Sequence, residues 1–138
     1  MGYTHYFEGK VNLDESTLAS IQLLIDQAQK QGIAIRGGLG SGEPEVTSER
    51  VRFNGDASTD DDYETFSVGD SSAWTFCKTA RRPYDAVVGS VLLLLASLNP
   101  EFVVTSDGDA TDPGDWGDAT TLFSSTFDMA APVELVNR

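Results

Sequence analysis

Tyr84-Asp85-Ala86-Val87-Val88-Gly89-Ser90-Val91-Leu92-Leu93-Leu94-Leu95-Ala96-Ser97-Leu98 is the stretch on which the fold turns. From Val87 to Leu98 it is apolar nearly all round, the mark of a helix covered on every side. Pro83 fits the first helical position, where no backbone N–H is required, and Asn99-Pro100 ends the run. Such a helix needs other elements around it, and the spacing predicts Leu92 and Leu95 almost wholly buried.

Working outward, Tyr3 to Lys10 alternates aromatic and polar residues and predicts a strand. Asp14 is a natural N-cap for a helix in which Leu18, Ile21, Ile25 and Ala28 recur at helical spacing, with Leu24 widening the stripe and Gly32 as the stop. Short strands are expected at Ile33 to Arg36, Val46 to Phe53, Tyr63 to Val68 and Ala73 to Thr79. Between them lie a glycine-rich loop (Gly37 to Gly42), an Asn54-Gly55 turn and acidic loops at Ala57 to Asp62 and Gly69 to Ser72. Beyond the central helix, Phe102 to Thr105 predicts a strand and Ser106 to Gly117 an acidic loop. Ala119 to Phe127 fits helix or strand, and Ala130 to Arg138 is a peripheral tail. Hairpin-like strands set between helices give an α+β class: a mostly antiparallel sheet packed on two main helices as a single layer pair, in one domain over residues 1–138.

The composition supports one core and constrains the partners. The chain has 138 residues, 40% of them hydrophobic, which is ample for a single globular domain. Nine Lys and Arg face 22 Asp and Glu, a formal charge of −13, and Lys10, Lys30 and Lys78 are the only lysines. Acids scattered along the chain, with lysine scarce, suit concentrated salt, where the Debye length falls to about 3 Å and self-repulsion is screened. The same charge excludes bulk nucleic acid, which needs many phosphate-neutralising cations, but leaves room for a local basic patch on a small anion. The single cysteine, Cys77, rules out a disulfide within the chain. The first residues do not read as a secretory signal, and the longest apolar run, Val91 to Ala96, is far short of a membrane span. The expectation is a soluble protein of the host cytoplasm, or a virion component.

One segment concentrates chemistry: Phe76-Cys77-Lys78-Thr79-Ala80-Arg81-Arg82-Pro83-Tyr84-Asp85 holds three of the nine basic residues. At a strand-to-helix junction, free backbone N–H groups with adjacent Arg and Lys grip phosphate or carboxylate. Tyr84 offers a ring for stacking and Asp85 an acceptor for a hydroxyl. The competing reading has Arg81 and Arg82 paired with surface acids and Asp85 favouring the helix start. Cys77 is a small core residue or, activated by Lys78 and Arg81 and paired with His5, a nucleophile. His5 is the only histidine. The glycine-rich loop lacks the Lys-Ser/Thr of a phosphate-binding loop. Ser106 to Asp112 resembles a calcium loop but has its Gly misplaced and no closing Glu, so no metal site is assigned, and no cofactor either.

The chain resembles a family of small uncharacterised proteins of phages, plasmids and prokaryotic genomes. The likeness is carried by Gly2 to Phe7, Gly37 to Gly42, Phe53-Asn54-Gly55, the block Phe76 to Asp85, and Ser106-Asp107-Gly108 with Trp116. Phe7 stands where the family favours Trp, and Arg82 where it favours Lys. The resemblance brings no activity with it. It implies that His5, Asn54, Lys78, Thr79, Arg81, Tyr84, Asp85, Ser106 and Asp107 matter together, as a pocket for an anionic or nucleotide-like ligand. In that setting the protein acts on or sequesters a nucleotide as a mobile-element accessory. The alternative is a non-catalytic structural or interaction protein, with a homo-oligomeric or virion partner.

Overall fold

The computed structural model describes residues 3–138; Gly2, where the N-terminal motif begins, lies outside them. Three helices and six short strands form an α+β fold. The first strand, β1 (Thr4–Glu8), is the middle of a three-stranded antiparallel sheet, flanked by β5 (Thr75–Lys78) and β6 (Val103–Ser106). His5 stands opposite Cys77 on one side and Ser106 on the other. A second antiparallel sheet holds β2 (Glu45–Val46), β3 (Val51–Phe53) and β4 (Phe66–Val68) in that order.

The central helix α2 (Asp85–Leu98) is buried as its composition demands, and Leu92 and Leu95 are both 0% exposed. It is packed by α1 (Glu15–Lys30) and α3 (Pro113–Phe127). Asp14 caps α1 by accepting the Thr17 N–H. Gly89 is what lets α3 come close: a Cβ there would sit 2.7 Å from the Ala119 Cβ and 3.2 Å from the Trp116 ring.

Four local expectations are corrected. Val46 to Phe53 is not one strand but a hairpin, because Thr47 and Arg50 close a turn through their backbone and the Thr47 hydroxyl. Ile33 to Arg36 makes only an isolated bridge, Arg36 with Asn54. Pro83 precedes α2 by two residues, with Tyr84 at the N-cap. The segment read as an acidic loop contains the start of α3, where Asp112 accepts the Gly114 N–H and Pro113 occupies the first turn. Among the described residues the sheet is thus divided in two, and the α-helices number three. No helix among the described residues is long and apolar enough to cross a membrane.

Candidate functional site

The N-terminal end of α2 is where β1, the turn after β5, the end of β6 and the first turn of α3 meet. Alternation along β1 turns Tyr3, His5 and Phe7 inward, and His5 is 1% exposed. Its Nε2 lies 2.6 Å from Asp85 Oδ1, and its Nδ1 lies 2.8 Å from Ser106 Oγ. The Ser106 hydroxyl accepts the Gly108 N–H at 3.0 Å and the Trp116 Nε1–H at 3.3 Å, which uses both lone pairs. Its own proton is left for His5 Nδ1, so the imidazole carries its proton on Nε2 and donates it to Asp85. Thr79 Oγ1 donates to the same Asp85 oxygen at 2.6 Å. The rings of Tyr3 and Trp116 meet the imidazole edge-on at 5.2 and 4.9 Å, fixing its plane. Gly108 is required beside them, since a Cβ there would collide with the Tyr3 hydroxyl.

Asp85 is therefore held at one oxygen only; among the described residues nothing donates to Oδ2. It lines a cleft of about 220 Å³ together with Arg81, Arg82, Asp115 and Asp118. Arg81 lies 3.9 Å over the Tyr3 ring and 3.2 Å from Asp115 Oδ1, with its side chain 54% exposed. This is a surface ion pair, worth about 0–1 kcal/mol. The Asp109 N–H and Arg81 together hold the Asp115 carboxyl below the usual carboxylate range. Arg82 makes no ion pair among the described residues, and its Nε is buried without a protein acceptor. Ala80 and Arg81 both have positive φ, 52° and 59°, in a turn closed by the Arg82 N–H to the Thr79 carbonyl. That is the arrangement of a type I′ turn, here built without glycine at either position that favours it.

Only part of the backbone N–H groups expected to be free at this junction are so: Asp85 N–H goes to the Arg82 carbonyl and Ala86 N–H to that of Pro83, while those of Arg81 and Tyr84 have no partner among the described residues. Of the nine residues read from the sequence, His5, Thr79, Asp85 and Ser106 form one connected network, with Arg81 at its rim. Tyr84 is fully buried and donates to the Glu64 carbonyl at 2.6 Å, so it has no face to offer a ligand. Lys78 does not line the cleft; its Nζ lies 5.6 Å from the centre of the Tyr63 ring, which the Arg82 guanidinium carbon also approaches, to 5.9 Å. Asp107 holds the Thr4 N–H and the Tyr6 hydroxyl. Asn54 is a buried brace that joins Gly38, Gly55 and Tyr63.

Three other candidates resolve as architecture. Cys77 is buried and 3.5 Å from the Glu64 carbonyl; burial first, and the Glu64 carboxylate second, push its thiol up to about 12. With both His5 nitrogens occupied, no Cys77–His5 pair forms. In the glycine-rich loop, the Gly37 and Gly40 N–H groups bond carbonyls of the loop itself. The acidic loop turns the Asp109 carboxylate onto Thr111, and no group of three His, Cys, Asp or Glu among the described residues is placed to hold a metal. A groove of about 800 Å³ runs along α3 and is lined by small neutral residues, offering nothing to hold a charge.

Sequence reasoning missed Tyr3, Asp115 and Trp116 as members of the site. The Asp112-Pro113 pair was the available signal, since a helix start there sets Asp115 and Trp116 in the first turn. Compared with protein-family models, curated proteins and solved structures, the chain matches none.

Proposed function

We propose that this protein binds a small anionic ligand in the cleft at the α2 N-terminus, with Arg81 and Arg82 taking its phosphate or carboxylate. The observation that carries the reading is the make-up of the cleft, where Arg81 and Arg82 stand beside Asp85, whose Oδ2 takes no hydrogen bond among the described residues. Guanidinium groups hold phosphate and carboxylate by charge-assisted hydrogen bonds. Asp85 Oδ2, steadied from behind by His5 and Thr79, would accept a ligand hydroxyl, which favours a nucleotide-like or sugar-phosphate compound over a bare anion. As a mobile-element accessory, such a protein acts on or sequesters its ligand.

The test is a thermal-shift screen of nucleotides and phosphorylated metabolites in molar salt, where the −13 charge is screened. Ligand at one hundred times its dissociation constant adds about 2.7 kcal/mol. Arg81→Ala should abolish the shift while barely moving the ligand-free melting temperature, because its ion pair is exposed. A shift of parental size in that variant would reject the cleft.

The second reading, a non-catalytic assembly component, has the solvent-facing rings of Trp74 and Phe76 in its favour. It requires concentration-dependent association, read by light scattering, and no ligand response.

A further inference from the structure

The outer face of the β5–β1–β6 sheet carries a second feature, separate from the cleft. Along β5 and the residue before it, Trp74, Phe76 and Lys78 share that face by the two-residue period of a strand. Tyr6 joins them from β1, directly opposite Phe76. The Tyr6 and Trp74 rings stack 5.9 Å apart at 19°, and Trp74 and Phe76 lie 5.7 Å apart. Yet Trp74 is 55% and Phe76 49% exposed. The Tyr6 hydroxyl, tied to Asp107 at 2.9 Å, anchors its ring. At the end of this aromatic row Lys78 Nζ lies against the Tyr63 ring, with no ion-pair partner among the described residues. Arg82 brings a second cation to that ring, its guanidinium carbon 5.9 Å from the ring centre.

We propose that this face binds a nucleoside monophosphate, its base stacked on Trp74 and Phe76 and its phosphate at Lys78. Three considerations select that occupant. The half-exposed rings present roughly 200 Å² of apolar surface, well under the about 800 Å² per partner of a stable protein interface but suited to one planar ring. Two cations at one ring, Lys78 and Arg82, favour an anionic group over a neutral one. Phe76 and Lys78 are about 6.6 Å apart along the strand, comparable to the reach from a base to its phosphate. A longer single strand is disfavoured by the net charge of −13, which repels every further phosphate. The proposal goes beyond the cleft reading and is tested at different residues, so each can fail alone.

The experiment exploits the two tryptophans. Trp116 is buried and Trp74 exposed, so quenching of tryptophan emission by a stacking ligand reports on Trp74. The full chain is titrated in molar salt and at lower ionic strength with AMP, adenosine, inorganic phosphate and oligo-dT of increasing length. Saturable quenching by AMP is expected, weaker by adenosine, and none by phosphate. Both test positions reach solvent and leave the core intact. Phe76→Ala should weaken AMP roughly tenfold through lost stacking. Lys78→Ala should bring AMP down to the affinity of adenosine. The proposal is overturned if AMP, CMP, GMP and UMP all fail to quench saturably, or if both variants bind AMP like the parent. It also falls if affinity for oligo-dT climbs with length past that for AMP, or if Trp74 emission tracks protein concentration, the sign of a second copy on the face.

Discussion

The two ends of α2 are built on opposite principles. Around Leu92, Leu93 and Leu95 the helix meets only apolar neighbours, and all three side chains are 0% exposed. Around Asp85 the same helix is met by His5, Thr79 and the turn bearing Arg81, in a network whose proton positions are dictated by partner counting. One end can be judged by volume alone; at the other, the orientation of a single hydroxyl decides the tautomer of a histidine. The comparison teaches that this fold spends its apolar sequence on one half of the helix and keeps the other half for directional chemistry.

That contrast can be broken by measurement. Leu92→Ala should cost about 2–5 kcal/mol in denaturant unfolding, by lost contacts and a residual cavity, while leaving the cleft's ligand response intact. His5→Ala should cost less, about 1–3 kcal/mol for the groups left unpaired, but should remove the ligand response. If His5→Ala costs as much as Leu92→Ala and spares binding, the polar end is simply a second core. ¹⁵N chemical shifts of the imidazole sharpen the same point: Nε2 should be protonated and Nδ1 bare.

Alkali acts on both halves more gently. Burial raises the Cys77 thiol from 9.0 and the Tyr3 phenol from 10.0, each to about 12. The unfolded chain therefore loses these protons first. Their contribution to stability is whole below about pH 9 and drains as the pH climbs towards about 12. Unfolding free energy should fall between about pH 9 and about pH 12; a flat profile would mean that neither group is sealed from water. The smallest effect is expected at the turn. Ala80→Gly relieves a positive φ of 52° and should stabilise by up to about 1 kcal/mol, net of glycine's greater freedom when unfolded. Loss of stability there would show that the Ala80 side chain has contacts outweighing the strain.

Much of the fold was legible because it is locally written. Asp14 with the Leu18 to Ala28 stripe, and the apolar run after Val87, specify α1 and α2 through periodicity alone. What escaped was written against local habit. The β2–β3 turn uses Thr47 to Arg50 without Gly, Pro or Asn. The first turn of α3 holds Gly114, Asp115 and Gly117, poor helix formers kept in place by the Asp112 cap and by Trp116 packing on Gly89. The site was legible as a set of residue types but not as a geometry. His5 meets Asp85 and Ser106 across separations of 80 and 101 residues, and no local pattern records such contacts. Lys78 and Tyr84 sit within one block with Arg81, yet alternation along β5 and burial at the N-cap send their side chains elsewhere.

The place of β1 in the middle of its sheet also sets an order of events during synthesis. Its partner strands start at Thr75 and Val103, so the strand leaves the ribosome long before either neighbour exists. At about 5–20 residues per second, it waits roughly 5–20 s for the second of them. Until then Tyr3, His5 and Phe7 are exposed on a nascent chain, candidates for chaperone capture. A chain stalled before β6 would carry α1 and α2 but no complete site, so the machinery at the α2 N-terminus exists only in finished molecules.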